Sequence, residues 1–236
     1  MSEVVSVRFV DSVAVITIDD GKANVLTVDV FDRLWEALDA AESRAKAVVL
    51  VGRPGVFSGG LDLHVLRDGS EPAMVLIHKA TDVCLRVAEF GCPVVAACTG
   101  HAVALGAVLL LCSDLRVGLA GDFRIGFNEV AIGIPVPELV VGLARARLSR
   151  RHVTLALNSA RLYTPAEAIE VGFLDTVHGS NVEKHAVAMA ADLAAQVEPW
   201  AFAATRATMT RRLGESIIRH AGEFANLRAS PPPNIR

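Results

Sequence analysis

Along the first half of the chain, the spacing of apolar residues switches repeatedly between strand-like and helix-like periods. Residues 5–9 and 13–18 alternate or run apolar on either side of Asp11-Ser12, which predicts an opening β-hairpin. Thr27 then stands as an N-cap ahead of Val30, Phe31, Leu34, Leu38 and Ala41, which share one helical face. Residues 47–51 form a short unbroken apolar run and predict a buried strand. A helix over about residues 73–89 follows, with Val75, Leu76, Val83, Leu85 and Val87 at its apolar positions, and then a strand over 94–97. Residues 105–112 are apolar all round, the mark of a buried helix, and strand character returns at 115–119 and 123–126.

Past Pro137 helical patterning dominates. Ser149 is placed to cap a helix through Leu157, and Thr164-Pro165 with Glu167 spells a capping box with proline at the first helical position. Residues 172–177 are briefly extended, and residues 182–197 are helical. Strands alternating with helices predict an α/β fold around a largely parallel sheet. With no internal repeat or linker, residues 1–236 read as one domain. Its core is expected over about residues 1–190, a helical C-terminal part over about 191–229, and a mobile proline-rich tail over 230–236.

Composition narrows the function classes. A chain of 236 residues, 52% hydrophobic and 21% charged, can bury a sizeable core and is not a disordered segment. A formal charge of −3 provides no field for nucleic acid, so none is expected as a partner. No apolar run is long enough to span a bilayer, so no membrane association is expected. Cys84, Cys92, Cys98 and Cys112 form no CxxC pair and sit in or beside apolar segments, which points to a reducing, cytoplasmic setting. No Cys/His/Asp spacing suggests a metal site.

The chemistry-bearing segments are Phe57-Ser58-Gly59-Gly60-Leu61-Asp62-Leu63 and Thr99-Gly100-His101-Ala102-Val103-Ala104-Leu105-Gly106-Ala107. Each follows an apolar strand and opens into a helical pattern, which would aim backbone N–H groups at a developing negative charge. Paired glycines alone are ordinary turn formers. Two further segments add to them: Cys112-Ser113-Asp114-Leu115-Arg116-Val117, and the run from Ile125 through Asn128-Glu129 to Pro135. Together the four resemble, in order and spacing, the crotonase family of enoyl-CoA hydratases and isomerases.

That resemblance implies a crotonase-like spiral of ββα units completed by C-terminal helices, and an acyl-CoA thioester as substrate. Coenzyme A is then part of the substrate, and no separate cofactor is implied. By position in the motifs, the backbone amides of Leu61 and Leu105 would form the oxyanion hole for the thioester oxygen. Family hydratases carry two glutamates; Val108 stands at the first position and Glu129 at the second. A single carboxylate suits a double-bond shift from 3-enoyl- to 2-enoyl-CoA, because one base can remove a proton and return it elsewhere. Glu138 either caps the next helix or enters the pocket as a second carboxylate, which would restore 2-enoyl-CoA hydration; a non-catalytic acyl-CoA binder is the remaining alternative. Backbone around Ala23 and Val25, with Gly60 and Leu63, would meet adenine and pantetheine, and Lys22 or Arg53 a phosphate. His64 falls near the implied CoA entrance, and His101 reads as structural. The family's usual assembly implies a homotrimer or homohexamer.

Overall fold

The computed structural model describes residues 3–68 and 71–220. The opening hairpin forms as the alternation predicts: β1 (Val5–Val10) pairs antiparallel with β2 (Val13–Ile18), and Asp11 takes the left-handed conformation of the turn at φ 51°. A two-residue strand, β3 (Val25–Leu26), leads into α1 (Val28–Glu42), whose first-turn amide at Val30 is capped by the Thr27 hydroxyl at 3.3 Å. Next come β4 (Ala47–Gly52), β5 (Gly55–Ser58), β6 (Gly60–Leu61), α2 (Leu63–Asp68) and α3 (Glu71–Ala88). The chain continues with β7 (Val94–Cys98), β8 (Gly100–Val103), α4 (Leu105–Cys112), β9 (Leu115–Leu119), β10 (Ile125–Gly126) and a short 3₁₀ turn, Val130–Ile132. It proceeds with α5 (Glu138–Arg147), α6 (Val153–Asn158), α7 (Pro165–Val171), β11 (Thr176–His178), α8 (Val182–Gln196) and α9 (Pro199–His220).

Six strands form the main sheet in the order β1-β2-β4-β7-β9-β11, parallel except for the hairpin. Both faces are covered, which is why β4 and β7 read as unbroken apolar runs. Ala14, Ile16, Val48, Leu50, Val94 and Ala96 face the larger core with α1, α3 and α4, while Val13, Val15, Val49, Val95 and Val117 face Val182, Ala186 and Ala190 of α8. A three-stranded sheet, β10-β8-β5, takes the second strand of each pair β4–β5, β7–β8 and β9–β10. Each pair thus hands the chain from the large sheet to the small one before a helix or turn brings it back, generating the spiral. A two-stranded patch joins β3 and β6.

Several sequence expectations need correction. The strand expected over 123–126 is confined to Ile125–Gly126. Ser149 does not cap a helix: its carbonyl accepts from His152 N–H in a turn, and α6 starts at Val153 with His152 in the cap position. Thr164 and Glu167 do form the capping box of α7. The expected C-terminal helical part is described only as far as His220, and the tail 230–236 lies outside the described residues.

Close packing of the small sheet on α4 depends on absent side chains. A Cβ on Gly100 would lie 1.9 Å from the Gly55 carbonyl oxygen, and one on Gly106 2.4 Å from that of Ser58. We therefore expect Gly106→Ala to cost at least ~1–3 kcal/mol in urea unfolding, because backbone must move. Gly91→Ala, with open space around it, should stay within about 0.5 kcal/mol of wild type; equal effects would contradict this packing.

Candidate active site

The loop after β2 is fixed by two polar side chains. The Asp20 carboxylate accepts from the amides of Lys22 (2.7 Å), Asn24 (2.8 Å) and Val25 (3.0 Å). Burial acts to raise its pKa, but these amides and the nearby Arg53 guanidinium outweigh it and hold the carboxyl below its ordinary value. Asn24, in the left-handed region at φ 49°, donates to the carbonyls of Ile18 (2.7 Å) and Phe57 (3.2 Å). Ser58 then donates to Asn24 O at 2.9 Å and accepts from Gly60 N–H at 3.1 Å, while Gly59 N–H donates to Ala23 O at 2.9 Å. The first glycine turn is thereby tied to β3.

The second turn is brought beside it by strand pairing. In the β5–β8 ladder Gly55 faces Gly100, Val56 faces His101 and Ser58 faces Ala102, with an irregularity between Val56 and Ser58. Gly60 adopts φ +94°, and a Cβ there would lie 2.9 Å from Ala104 Cβ and 3.3 Å from Leu105 N. The two turns thus approach to the limit that a glycine allows. Ala104, at φ 53° and ψ −123°, occupies a strained conformation immediately before α4 and offers no side-chain cap. The Leu105 amide is among those a helix leaves without an intrahelical partner. Leu61 differs from the sequence expectation: it ends β6 rather than opening a helix, and Asp62 caps α2 by accepting from His64 N–H at 2.9 Å.

Beside these amides lies a cavity of about 280 Å³ lined by Leu61, Leu105, Val108, Asn128 and Glu129, by a stripe of α3 and by Leu139 and Val140 of α5. Glu129 is the only ionisable side chain among its described lining residues. Its Oε2 is buried without a hydrogen-bond partner. Burial pushes the carboxyl above its ordinary value, offset in part by the amides of Asn128 and Glu129 itself. The arrangement joins an apolar chamber, a lone carboxylate and two converging backbone turns, a set suited to proton transfer next to a polarised carbonyl.

Residues 8–224 match the family described as enoyl-CoA hydratase/isomerase. The chain belongs to that family. An apo enoyl-CoA isomerase from Mycobacterium tuberculosis is 35% identical, with a TM-score of 0.89 over 96% of this chain and 99% of that one. A putative enoyl-CoA hydratase of Thermus thermophilus is 34% identical over 179 residues, 70% of this chain and 67% of its own length. Human mitochondrial enoyl-CoA delta isomerase 1 is 32% identical over 171 residues, 70% of this chain and 56% of its own length. Against the mammalian isomerases, then, the match spans somewhat over half of their length (56–59%).

Within this enoyl-CoA hydratase/isomerase fold, Leu61, Leu105 and Glu129 are brought together, and Val108, 1% exposed, lines the same cavity with an apolar side chain. Glu138 is not brought in: it is the exposed first residue of α5, outside the cavity lining, where the helix dipole favours a carboxylate. Lys22, Ala23 and Leu63 are exposed, Val25 is half-buried and Gly60 is buried, and of these Leu63 lines the cavity. The Val25 amide is already held by Asp20, which removes it as a donor to adenine. Arg53 braces the same loop, donating to Lys22 O at 2.6 Å and pairing with Asp19 at 3.3 Å. His64 is exposed, and His101 Nδ1 accepts from Arg124 N–H at 3.0 Å, a structural bond. Among the described residues no three His, Cys, Asp or Glu side chains gather as a metal site.

Sequence reasoning missed Asp20, Asn24, Ser58 and Ala104, which position the turns; an Asp four residues ahead of an Asn is a turn signal that identifies the first two. Glu129 also has a testable electrostatic consequence. Its raised pKa means that the folded chain favours the neutral form, so stability falls as pH rises from the ordinary glutamate value through the raised one. Glu129→Gln should therefore be at least as stable as wild type at neutral pH, and its advantage should vanish below about pH 4. Urea midpoints at both pH values check this; a destabilised variant at neutral pH would contradict it.

Proposed function

We propose that this protein is an enoyl-CoA isomerase that shifts a double bond from the 3- to the 2-position of an acyl-CoA thioester. The observation that carries the reading is the solitary Glu129 in a chamber whose other described lining side chains do not ionise, with Val108 where a second carboxylate would stand. The thioester oxygen lies against the amides of Leu61 and Leu105. Glu129 removes a proton from C2, the electron pair moves toward the oxygen to give an extended enolate, and the amides stabilise the charge; losing one such donor costs about 3–4 kcal/mol in comparable sites. The protonated Glu129 then delivers the proton to C4, leaving the double bond at C2. Its raised pKa narrows the gap to the α-carbon acid and so favours the abstraction step.

Hydration of a 2-enoyl-CoA is the competing reading. Water addition is best served by two carboxylates, one for the water and one for the carbon, and Glu138 is exposed and not among the lining residues. A homotrimer or homohexamer is part of the proposal, supported by the exposure of Trp200 (76%) and Met209 (68%) on α9, which light scattering tests. A cytoplasmic setting accords with the four free cysteines. No helix among the described residues is long and apolar enough to cross a membrane.

Glu129→Gln should lower isomerase kcat by about 10²–10⁴-fold with acyl-CoA affinity retained, because glutamine keeps the size and loses the base. Turnover near wild type in a binding-competent variant would remove Glu129 from the chemistry. Conversely, Val108→Glu should bring measurable 3-hydroxyacyl-CoA formation from 2-enoyl-CoA, by supplying the missing carboxylate one turn into α4. A folded, ligand-binding variant with no gain in hydration would contradict the assignment of that position.

A further inference from the structure

The α3 residues that line the cavity, Ala73, Met74, Ile77, Ala80 and Thr81, recur on one helical stripe. Eight residues of helix advance about 12 Å, which sets the length of the chamber along this wall. One turn further on, the wall is closed. Val83, Cys84 and Val87 are fully buried, and the Cys84 thiol reaches Cys112 at the far end of α4. Since α4 begins at Leu105 beside the reacting carbonyl and ends at Cys112, the stripe runs inward from the carbonyl toward Ala80 and Thr81. Two features keep the chamber open and apolar at that end: Ala80 is small, and the Thr81 hydroxyl donates to Ile77 O at 2.9 Å.

We propose that this chamber selects straight acyl chains of medium length, on the order of eight carbons, with Ala80 and Thr81 as the residues that set the limit; the inference rests on the acyl-CoA reading above and on the ~12 Å length of the α3 wall. An extended acyl chain advances about 1.3 Å per carbon, so the ~12 Å of wall from Ala73 to Thr81 spans on the order of eight or nine chain atoms counted from the carbonyl. Longer chains meet the wall at Cys84 and Cys112.

The test is calorimetric binding of straight-chain saturated acyl-CoAs from about four to about sixteen carbons to the full chain, alongside turnover of 3-enoyl-CoAs of matching length. Affinity should rise by about fourfold per methylene up to about eight carbons and then level off or fall, since ~0.8 kcal/mol accompanies each buried methylene. Ala80→Leu should move the break to shorter chains by about the length of the added side chain, and Thr81→Leu, at a half-buried position, should do the same if Ala80→Leu fails to fold. Affinity that is independent of length, or that climbs steadily to the longest chain, would overturn the proposal, as would variants that leave the break in place. Binding that breaks near eight carbons without turnover would sustain the chamber and overturn the isomerase instead, whereas no binding at any length would overturn both.

Discussion

Everything at the site depends on two backbone turns approaching more closely than side chains permit. Gly60 passes Ala104 and Leu105 at a distance where a Cβ would collide, and Gly106 sits on the Ser58 carbonyl in the same way. The approach is held from outside by strand pairing of β5 with β8 and from below by Asn24, Asp20 and Ser58. Ala104 stays in a costly conformation because these neighbours overdetermine it. The site is thus a product of backbone geometry: in the proposed reaction the polarising groups are the amides of Leu61 and Leu105, whose own side chains take no part in the chemistry.

That origin explains what was legible in the sequence. The hairpin, the buried α4, the Thr27 and Thr164 caps and the parallel sheet follow from period and capping chemistry, which act locally. The three-stranded sheet was not legible, because β5, β8 and β10 are two to four residues long and carry the glycines of the motifs rather than β-branched runs. Leu61 reads as a helix opening for the same reason: the two residues of β6 give no period. Ser149 illustrates the opposite error, a good capping residue whose amide is claimed by Val171 O across the fold. For Glu138 the sequence allows two roles and favours the helix terminus; its place as the exposed first residue of α5, outside the cavity lining, accords with that preference.

The chemistry is set as much by omission as by presence. With an apolar Val108 beside it, Glu129 has no ionisable neighbour among the described lining residues, and burial raises its pKa. A base of that kind holds an abstracted proton rather than surrendering it to solvent, and an apolar chamber restricts the water with which it would exchange. Membership of the enoyl-CoA hydratase/isomerase family is what makes a thioester the proposed substrate, and the lone carboxylate is what favours isomerisation over hydration in that proposal.

The central claim is therefore that one group carries the same proton from C2 to C4. The most direct measurement is isotope transfer: 3-enoyl-CoA deuterated at C2 is turned over in ordinary water, and the product is analysed by mass spectrometry and NMR. A single buried Glu129 requires a measurable fraction of the deuterium to reappear at C4 of 2-enoyl-CoA. Complete loss of deuterium to solvent, accompanied by 3-hydroxyacyl-CoA as the main product from 2-enoyl-CoA, would contradict the account.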